Sequence, residues 1–413
     1  MSHDTVADPA AGGFDAGRLA RIGDHLRRRY VEPGKIAGCQ VVVARHGKLA
    51  HQASIGAMDR ERATPVADDT IWRLYSMTKP VTGVALLTLY EQAHLKLSDP
   101  VARFIPELAG VQVQERLDDG TRRRVDPARP MSVRDALMHM TGIGYGPPGA
   151  RLQLDAIGRQ PPGAGLGKGA TLQALMERLG EEPLRFHPGT RWLYSWSTDV
   201  CARLVEAVSG QRFDDYLRTT IFEPLGMVDT GFSVREGEGS RLAALYGRDA
   251  GKQLVLLDDP ADSRLLRPMT FHSGGGGLVG TTADYLRFCQ MLLNGGELDG
   301  VRVLGRKTVE LMASNHLPGD GDLRAFALPG GYGEVGFDGM GFGLTVAVSK
   351  GPVATQGLGS AGEYLWGGAA STAFWIDPAE DLVAVFMTQL IPSGTFDFRG
   401  QLKALVYSSI VDR

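Results

Sequence analysis

A serine and a lysine stand three residues apart in "LYSMTKPVTG", Leu74 to Gly83, with Pro80 directly behind the lysine. Residues i and i+3 share a helix face, so Ser76 and Lys79 touch if the helix has begun. Pro80 indicates where it begins. A proline has no N–H and a fixed φ, which only the first helical turn tolerates. The spacing therefore predicts a helix start at about Ser76, with the apolar pattern from Met77 to Ala93 as its body. Ser76 would sit at the positive end of the helix dipole, a favourable place for a nucleophile whose product is an oxyanion. Lys79, one turn in, would point back toward the hydroxyl. If its neighbours keep it dry, its pKa falls and it can accept a proton. Alone the pair is a weak signal, because a helix cap with an exposed lysine fits the same four residues.

Two other stretches could complete a site. "WLYSWSTD" places Tyr194 before a helical pattern at Thr198–Val208, where a phenol could share a proton with Ser76 and Lys79. "EYLWGGAAS" places Gly367 and Gly368 on a strand pattern, where glycine marks close backbone approach. An edge strand there could offer a second backbone N–H to an oxyanion. A core aromatic at Tyr194 and a bulge at the two glycines fit these residues too. The tryptophans Trp72, Trp192, Trp196 and Trp366 lie beside these motifs, which suggests an aromatic, apolar pocket with one or two of them in the core instead.

Other chemistries lack their motifs. There is no G-x-S-x-G, H-E-x-x-H or P-loop, and no G-x-G-x-x-G between a strand and a helix. The Gly274–Gly277 run has no lysine at P-loop spacing and reads as a close-packed turn before a helix. His139 and His187 sit beside turn residues and read as structural hydrogen-bonding groups.

The elements that must position these residues follow from periodicity. Asp15–Tyr30 has helical spacing, and "GCQVVVARHGKLAHQASIG" reads as two strands around a His46-Gly47 turn. "MSVRDALMHMTGIG" reads as a helix capped by Ser132 and stopped at Gly142, and Phe213–Phe222 as another helix. The Gly- and Pro-rich stretch from Gly144 to Gly169 is long enough to be a lid or a mobile loop. "FGLTVAV", "EYLWGG", "STAFWID" and "LVAVFMTQ" read as strands and Phe398–Val411 as a helix. Strands at both ends with helices between them predict an α/β unit from residues 1–95 and 331–413, interrupted by a mainly helical insertion over 96–330.

Composition narrows the setting. The 413 residues are 43% apolar and 22% charged, with net charge −3 and pI about 6.3, so no basic field argues for nucleic acid. Arg27–Arg29 and Arg122–Arg124 read as solvated surface, the second on a hairpin arm after "LDDG". Cys39, Cys201 and Cys289 are too scattered for a disulfide framework or a zinc site. The N-terminus has no apolar h-region, and no run of about 18 apolar residues occurs. These features fit a cytoplasmic enzyme with reduced thiols, no membrane partner, and no metal or cofactor.

Taken together, the motifs resemble the serine β-lactamase and penicillin-binding-protein superfamily, and most closely the family VIII carboxylesterases. The nucleophile motif is "SMTK", the tyrosine motif is "YSW", and the third is "WGG" at Trp366–Gly368. "HMTGIGY", "GGGGLVGTTADYLRF" and "FWIDPAEDLVAVFMTQ" are similar as well. The resemblance implies a β-lactamase-like fold, with an antiparallel sheet flanked by N- and C-terminal helices and a largely helical inserted domain. It implies Ser76 as the acyl-forming nucleophile and Lys79 and Tyr194 as its acid–base network. The N–H groups of Ser76 and Ala369 would form the oxyanion hole. Tyr145, Trp366, Gly367 and Gly368 would line the substrate site. Two departures bear on substrate. Trp366 stands where β-lactamases and peptidases have the K-T-G lysine, and Trp196 where they have the Y-x-N asparagine. Both changes favour a neutral short- to medium-chain ester over an anionic β-lactam. β-Lactamase- or peptidase-type amide hydrolysis and acyl transfer are the alternatives the same site allows.

Overall fold

The computed structural model describes residues 8–145, 169–329 and 331–412. The stretch expected as a lid falls largely at 146–168, outside the described residues.

One antiparallel sheet of eight strands organises the fold. Its strands are β1 (Gly38–Arg45), β2 (Lys48–Asp59) and β3 (Thr64–Pro65) near the N-terminus. Near the C-terminus come β6 (Met340–Phe342), β7 (Ala347–Lys350), β8 (Ala361–Gly367), β9 (Ala373–Asp377) and β10 (Leu382–Thr388). The order is β6-β7-β8-β9-β10-β1-β2-β3, so the two chain ends meet where β1 pairs with β10, Cys39 opposite Thr388 and Arg45 opposite Leu382. Two further short strands, β4 (Ile71–Arg73) and β5 (Val279–Thr281), pair with each other outside it.

The sheet is covered on both faces, and this explains the unbroken apolar strings. Every residue of β10 is buried. Phe386 of β10 meets Phe398 of the C-terminal helix α6 (Phe398–Tyr407) at 5.1 Å. Phe374 of β9 meets Tyr285 of α5 (Thr282–Leu293) at 5.3 Å. Phe386 pairs with Ala373, the neighbour of Phe374, and successive strand residues face opposite ways. Helices α5 and α6 therefore lie on opposite faces. The N-terminal helix α1 (Ala16–Leu26), capped by Asp15, packs beside α6. Since α5 comes from the middle of the chain yet lies on the sheet, one continuous core joins the terminal and central segments.

The local signals hold where a turn or cap decides. His46 and Gly47 both take positive φ and close the β1–β2 hairpin. Ser132 makes a reciprocal capping box with Asp135. The Arg122–Arg124 run lies exposed on a hairpin with Val113–Arg116. Two expectations fail. The helix α3 after Ser132 spans only Val133–Leu137, because His139 adopts a left-handed φ of 57° well before Gly142. "FGLTVAV" is not one strand but the β6–β7 hairpin, turned at Thr345 with φ 72°. Thr345 packs against Gly83 of the central helix, where an added Cβ would lie 2.2 Å from its Oγ1.

Candidate active site

The helix α2 spans Thr78–Glu91 and is preceded by a 3₁₀ turn at Tyr75–Met77, so Ser76 stands at the helix start as Pro80 indicates. Residues Thr78 to Leu89 are all buried, as expected for a helix that is apolar all round. Tyr75 holds a left-handed φ of 46°, which costs about 1–2 kcal/mol for a side-chain-bearing residue. Surrounding bonds hold that turn in place. The Leu74 N–H donates to the Leu278 carbonyl, and the Tyr285 hydroxyl to the Met77 carbonyl.

Three side chains converge. The Tyr194 hydroxyl donates to Ser76 Oγ at 2.5 Å, and Lys79 Nζ to the same oxygen at 3.2 Å. Lys79 Nζ also donates to the Gly275 carbonyl at 2.7 Å and lies 4.3 Å from the Tyr194 ring centroid. Burial pushes the Lys79 amine down to about 8, against the pull of the Asp199 and Glu334 charges. Burial pushes the Tyr194 phenol well above its ordinary range, and the Tyr145 and Glu334 charges add to this. At neutral pH Tyr194 is therefore a proton donor, and Lys79 is the group near its titration point.

Tyr194 is clamped by rings. Trp192 stacks on it at 6.2 Å, and His139, Trp366, Tyr145 and Tyr332 pack at 5.0, 5.5, 5.9 and 6.0 Å. Three of the four tryptophans expected around a pocket are buried in the core, namely Trp72, Trp192 and Trp366. Trp366 thus backs the Tyr194 ring instead of presenting a face to a substrate. Trp196 is half-buried and packs on the half-buried Tyr145 at 5.0 Å, so these two remain at the surface of the site. His139 is bonded to Thr198 and Ser195 and His187 to Glu115, the structural roles expected of them.

The third motif meets the first. Pairing of β8 with β7 ends at Leu365, so Trp366 and Gly367 are paired on the β9 side and the strand becomes an edge where the glycines stand. An added Cβ on Gly368 would lie 2.4 Å from the Leu74 carbonyl and 3.3 Å from Tyr75 Cβ. The residue before Ala369 is thus pressed onto the turn that carries Ser76. Gly368→Ala should force the two segments apart and lower any turnover that runs through Ser76 about 10²-fold. Rates measured beside a melting curve check this, because a folded variant with wild-type turnover would show the approach to be dispensable.

Sequence reasoning missed Asp199, Glu334 and Arg399. Asp199 and Glu334 are buried carboxylates whose charges reach Lys79. Arg399 reaches β8 at Gly367, on the face opposite Trp366, and is met by Glu334 at 3.6 Å. An acidic residue in the first turn of a helix right after "YSW" was the available signal for Asp199.

An antiparallel sheet with this helical cover and a buried Ser–Lys–Tyr cluster defines the β-lactamase-fold class of serine hydrolases. The β-lactamase family model matches residues 24–407. Protein Rv1367c of Mycobacterium tuberculosis (strain ATCC 25618 / H37Rv) is 34% identical over 376 residues, 90% of each chain. Esterase EstB of Burkholderia gladioli is 30% identical over 407 residues, 94% of each. Among solved structures, EstCE1, a hydrolase with promiscuous acyltransferase activity, superposes with a TM-score of 0.75 at 24% identity over 96% of this chain and 99% of its own. The chain belongs to the β-lactamase family, and its resemblance to the family VIII carboxylesterases stands. Among the described residues no helix is long and apolar enough to cross a membrane.

Proposed function

We propose that this protein is a serine carboxylesterase that cleaves short- to medium-chain esters through an acyl-enzyme on Ser76. The observation that carries the reading is the sharing of one oxygen, Ser76 Oγ, by a buried phenol and a buried amine. In the first step Ser76 Oγ attacks the ester carbonyl while its proton passes to the free amine of Lys79. The backbone N–H groups of Ser76 and Ala369 hold the oxyanion, each worth about 3 kcal/mol of barrier. Tyr194 protonates the departing alcohol, which suits a phenol that burial keeps protonated. Water then attacks the acyl-enzyme, with the same two groups moving protons in reverse.

Substrate charge is read from the third motif. The position of the K-T-G lysine is held by buried Trp366, and the nearby Arg399 is occupied by Glu334. Neither offers a free cation to an anionic β-lactam. Tyr145 and Trp196 give an apolar rim suited to a neutral acyl chain. Three buried free cysteines accord with a reducing, cytoplasmic setting. The test is a comparison of p-nitrophenyl butyrate with nitrocefin. Faster turnover of the ester supports the reading, and turnover of nitrocefin far above that of simple esters would replace it with amide hydrolysis.

The pH dependence follows from Lys79. A base must be unprotonated to act, so kcat/KM should rise with pH through about 8 and then level off. A profile that is flat from about pH 6 to 9 would remove Lys79 as the base.

A further inference from the structure

The four-glycine run at Gly274–Gly277 and the buried Asp199 have no part in that ester cycle. Geometry joins them to it. Asp199 lies in the first turn of α4 (Ser197–Ser209), the helix that follows Tyr194, and is fully buried. Its Oδ1 accepts from Ser273 Oγ at 2.6 Å and from the Gly275 N–H at 3.3 Å. Its Oδ2 has no hydrogen-bond partner among the described residues. A buried carboxylate with an open oxygen is costly, so a folding role alone gives poor grounds for it.

The glycines explain how close the parts come. An added Cβ on Gly275 would lie 2.5 Å from Asp199 Oδ2, and one on Gly274 would lie 2.6 Å from Ala202 Cβ and 2.8 Å from the Thr198 carbonyl. Only a bare backbone fits between α4 and α2. On its other side the turn bonds α2 directly. The Gly274 carbonyl accepts from Thr82 Oγ1 at 2.8 Å and the Gly275 carbonyl from Lys79 Nζ at 2.7 Å. Asp199 therefore holds the turn, and the turn holds the amine.

We propose that Asp199 is the positioning residue for Lys79: it pins the glycine turn whose Gly275 carbonyl keeps the amine on Ser76. The inference rests on the esterase reading, with Lys79 as base. The groups whose charge or ring acts on the amine are Asp199 from α4 and Glu334 from the segment before β6, the Tyr194 ring, and His139 beyond α3. Glu334 acts in the same direction as Asp199, and His139 is kept neutral by burial and by Lys79 itself. Removing the Asp199 charge leaves the amine less basic, so the limb of the pH–rate profile moves to lower pH.

The experiment is the kcat/KM profile of p-nitrophenyl butyrate hydrolysis from about pH 6 to 10 for wild type, Asp199→Asn, Asp199→Glu and Ser273→Ala, with melting curves. Asp199→Asn keeps the shape and removes the charge. Its limb should fall by about one pH unit, with a plateau kcat about tenfold lower and KM nearly unchanged. Asp199→Glu keeps the charge out of register, so its limb should stay near the wild-type pH while its plateau drops. Ser273→Ala leaves the Asp199 charge in place but removes one of the two bonds that tie it to the glycine turn, so its plateau kcat should drop by less than in Asp199→Asn while its limb stays near the wild-type pH. A uniform loss of rate at every pH with the limb unmoved in Asp199→Asn means a structural residue only and overturns the proposal. If Asp199→Asn does not fold, a wild-type plateau in Ser273→Ala overturns it instead. A wild-type enzyme with no ester turnover, or with no limb, is the separate failure of the esterase reading.

Discussion

Ser76→Ala should abolish p-nitrophenyl butyrate hydrolysis, with a loss of at least about 10⁴-fold in kcat. The hydroxyl is the atom on which both partners converge, and neither can replace it. The Tyr194 phenol is held protonated by burial, and the Lys79 amine lies behind Ser76 Oγ, bonded to Gly275. Among the described residues no second nucleophile stands at the centre of the cluster. The fold should survive, because the change removes one oxygen and leaves the helix start to Pro80 and the Leu74–Leu278 bond. A small loss of stability, about 1 kcal/mol, is expected from the Tyr194 hydroxyl left without its acceptor. The check is twofold, combining turnover with labelling by a serine-reactive phosphonate followed by peptide mass analysis. Wild type should carry one adduct on the Ser76 peptide and the variant none. Wild-type-like turnover in Ser76→Ala would end the acyl-enzyme reading.

Lys79→Arg should be nearly as inactive, losing about 10³-fold or more, although it keeps the charge. The reasoning turns on what the lysine contributes. If it only supplied a positive charge near the oxyanion, arginine would retain much of the rate. If it takes the proton of Ser76, arginine cannot serve, because a guanidinium does not lose its proton in the working range. Lys79 is buried, and the loss of water around it brings the amine down to about 8, where a free fraction exists at ordinary pH. Lys79→Met, similar in length and suited to a dry site, is the companion variant. Equal loss in both variants, with melting curves showing both folded, supports the base. Substantial activity in Lys79→Arg and none in Lys79→Met would assign Lys79 an electrostatic role and pass the proton to Tyr194.

Much of the fold is legible in the sequence alone, and the reason is locality. Pro80 restricts a helix start within a few residues, Ser132 and Asp135 cap a helix across one turn, and His46-Gly47 closes a hairpin between adjacent strands. Strands such as β1 and β10 are readable because a sheet covered on both faces demands continuous apolar runs. The β6–β7 hairpin is not readable. Its turn depends on Thr345 finding room beside Gly83, which is far away in sequence. The early end of α3 at His139 belongs with it, since that ring is drawn inward by Thr198, Ser195 and the aromatic cluster around Tyr194.

The same division runs through the site. The sequence offered Ser76 and Lys79 through local helix spacing, and the family resemblance carried by the order of its motifs singled out Tyr194 and the Trp366–Gly368 motif. Only the tertiary structure decided that Trp366 lies buried against Tyr194 and that Trp196 and Tyr145 pack on each other, each half-buried. It also decided that the charges of Asp199 and Glu334 reach the amine. Those outcomes depend on burial, which sums over neighbours from distant segments. Whether a lysine three residues after a serine is an exposed ammonium or a base is therefore set by the segments that exclude water from it.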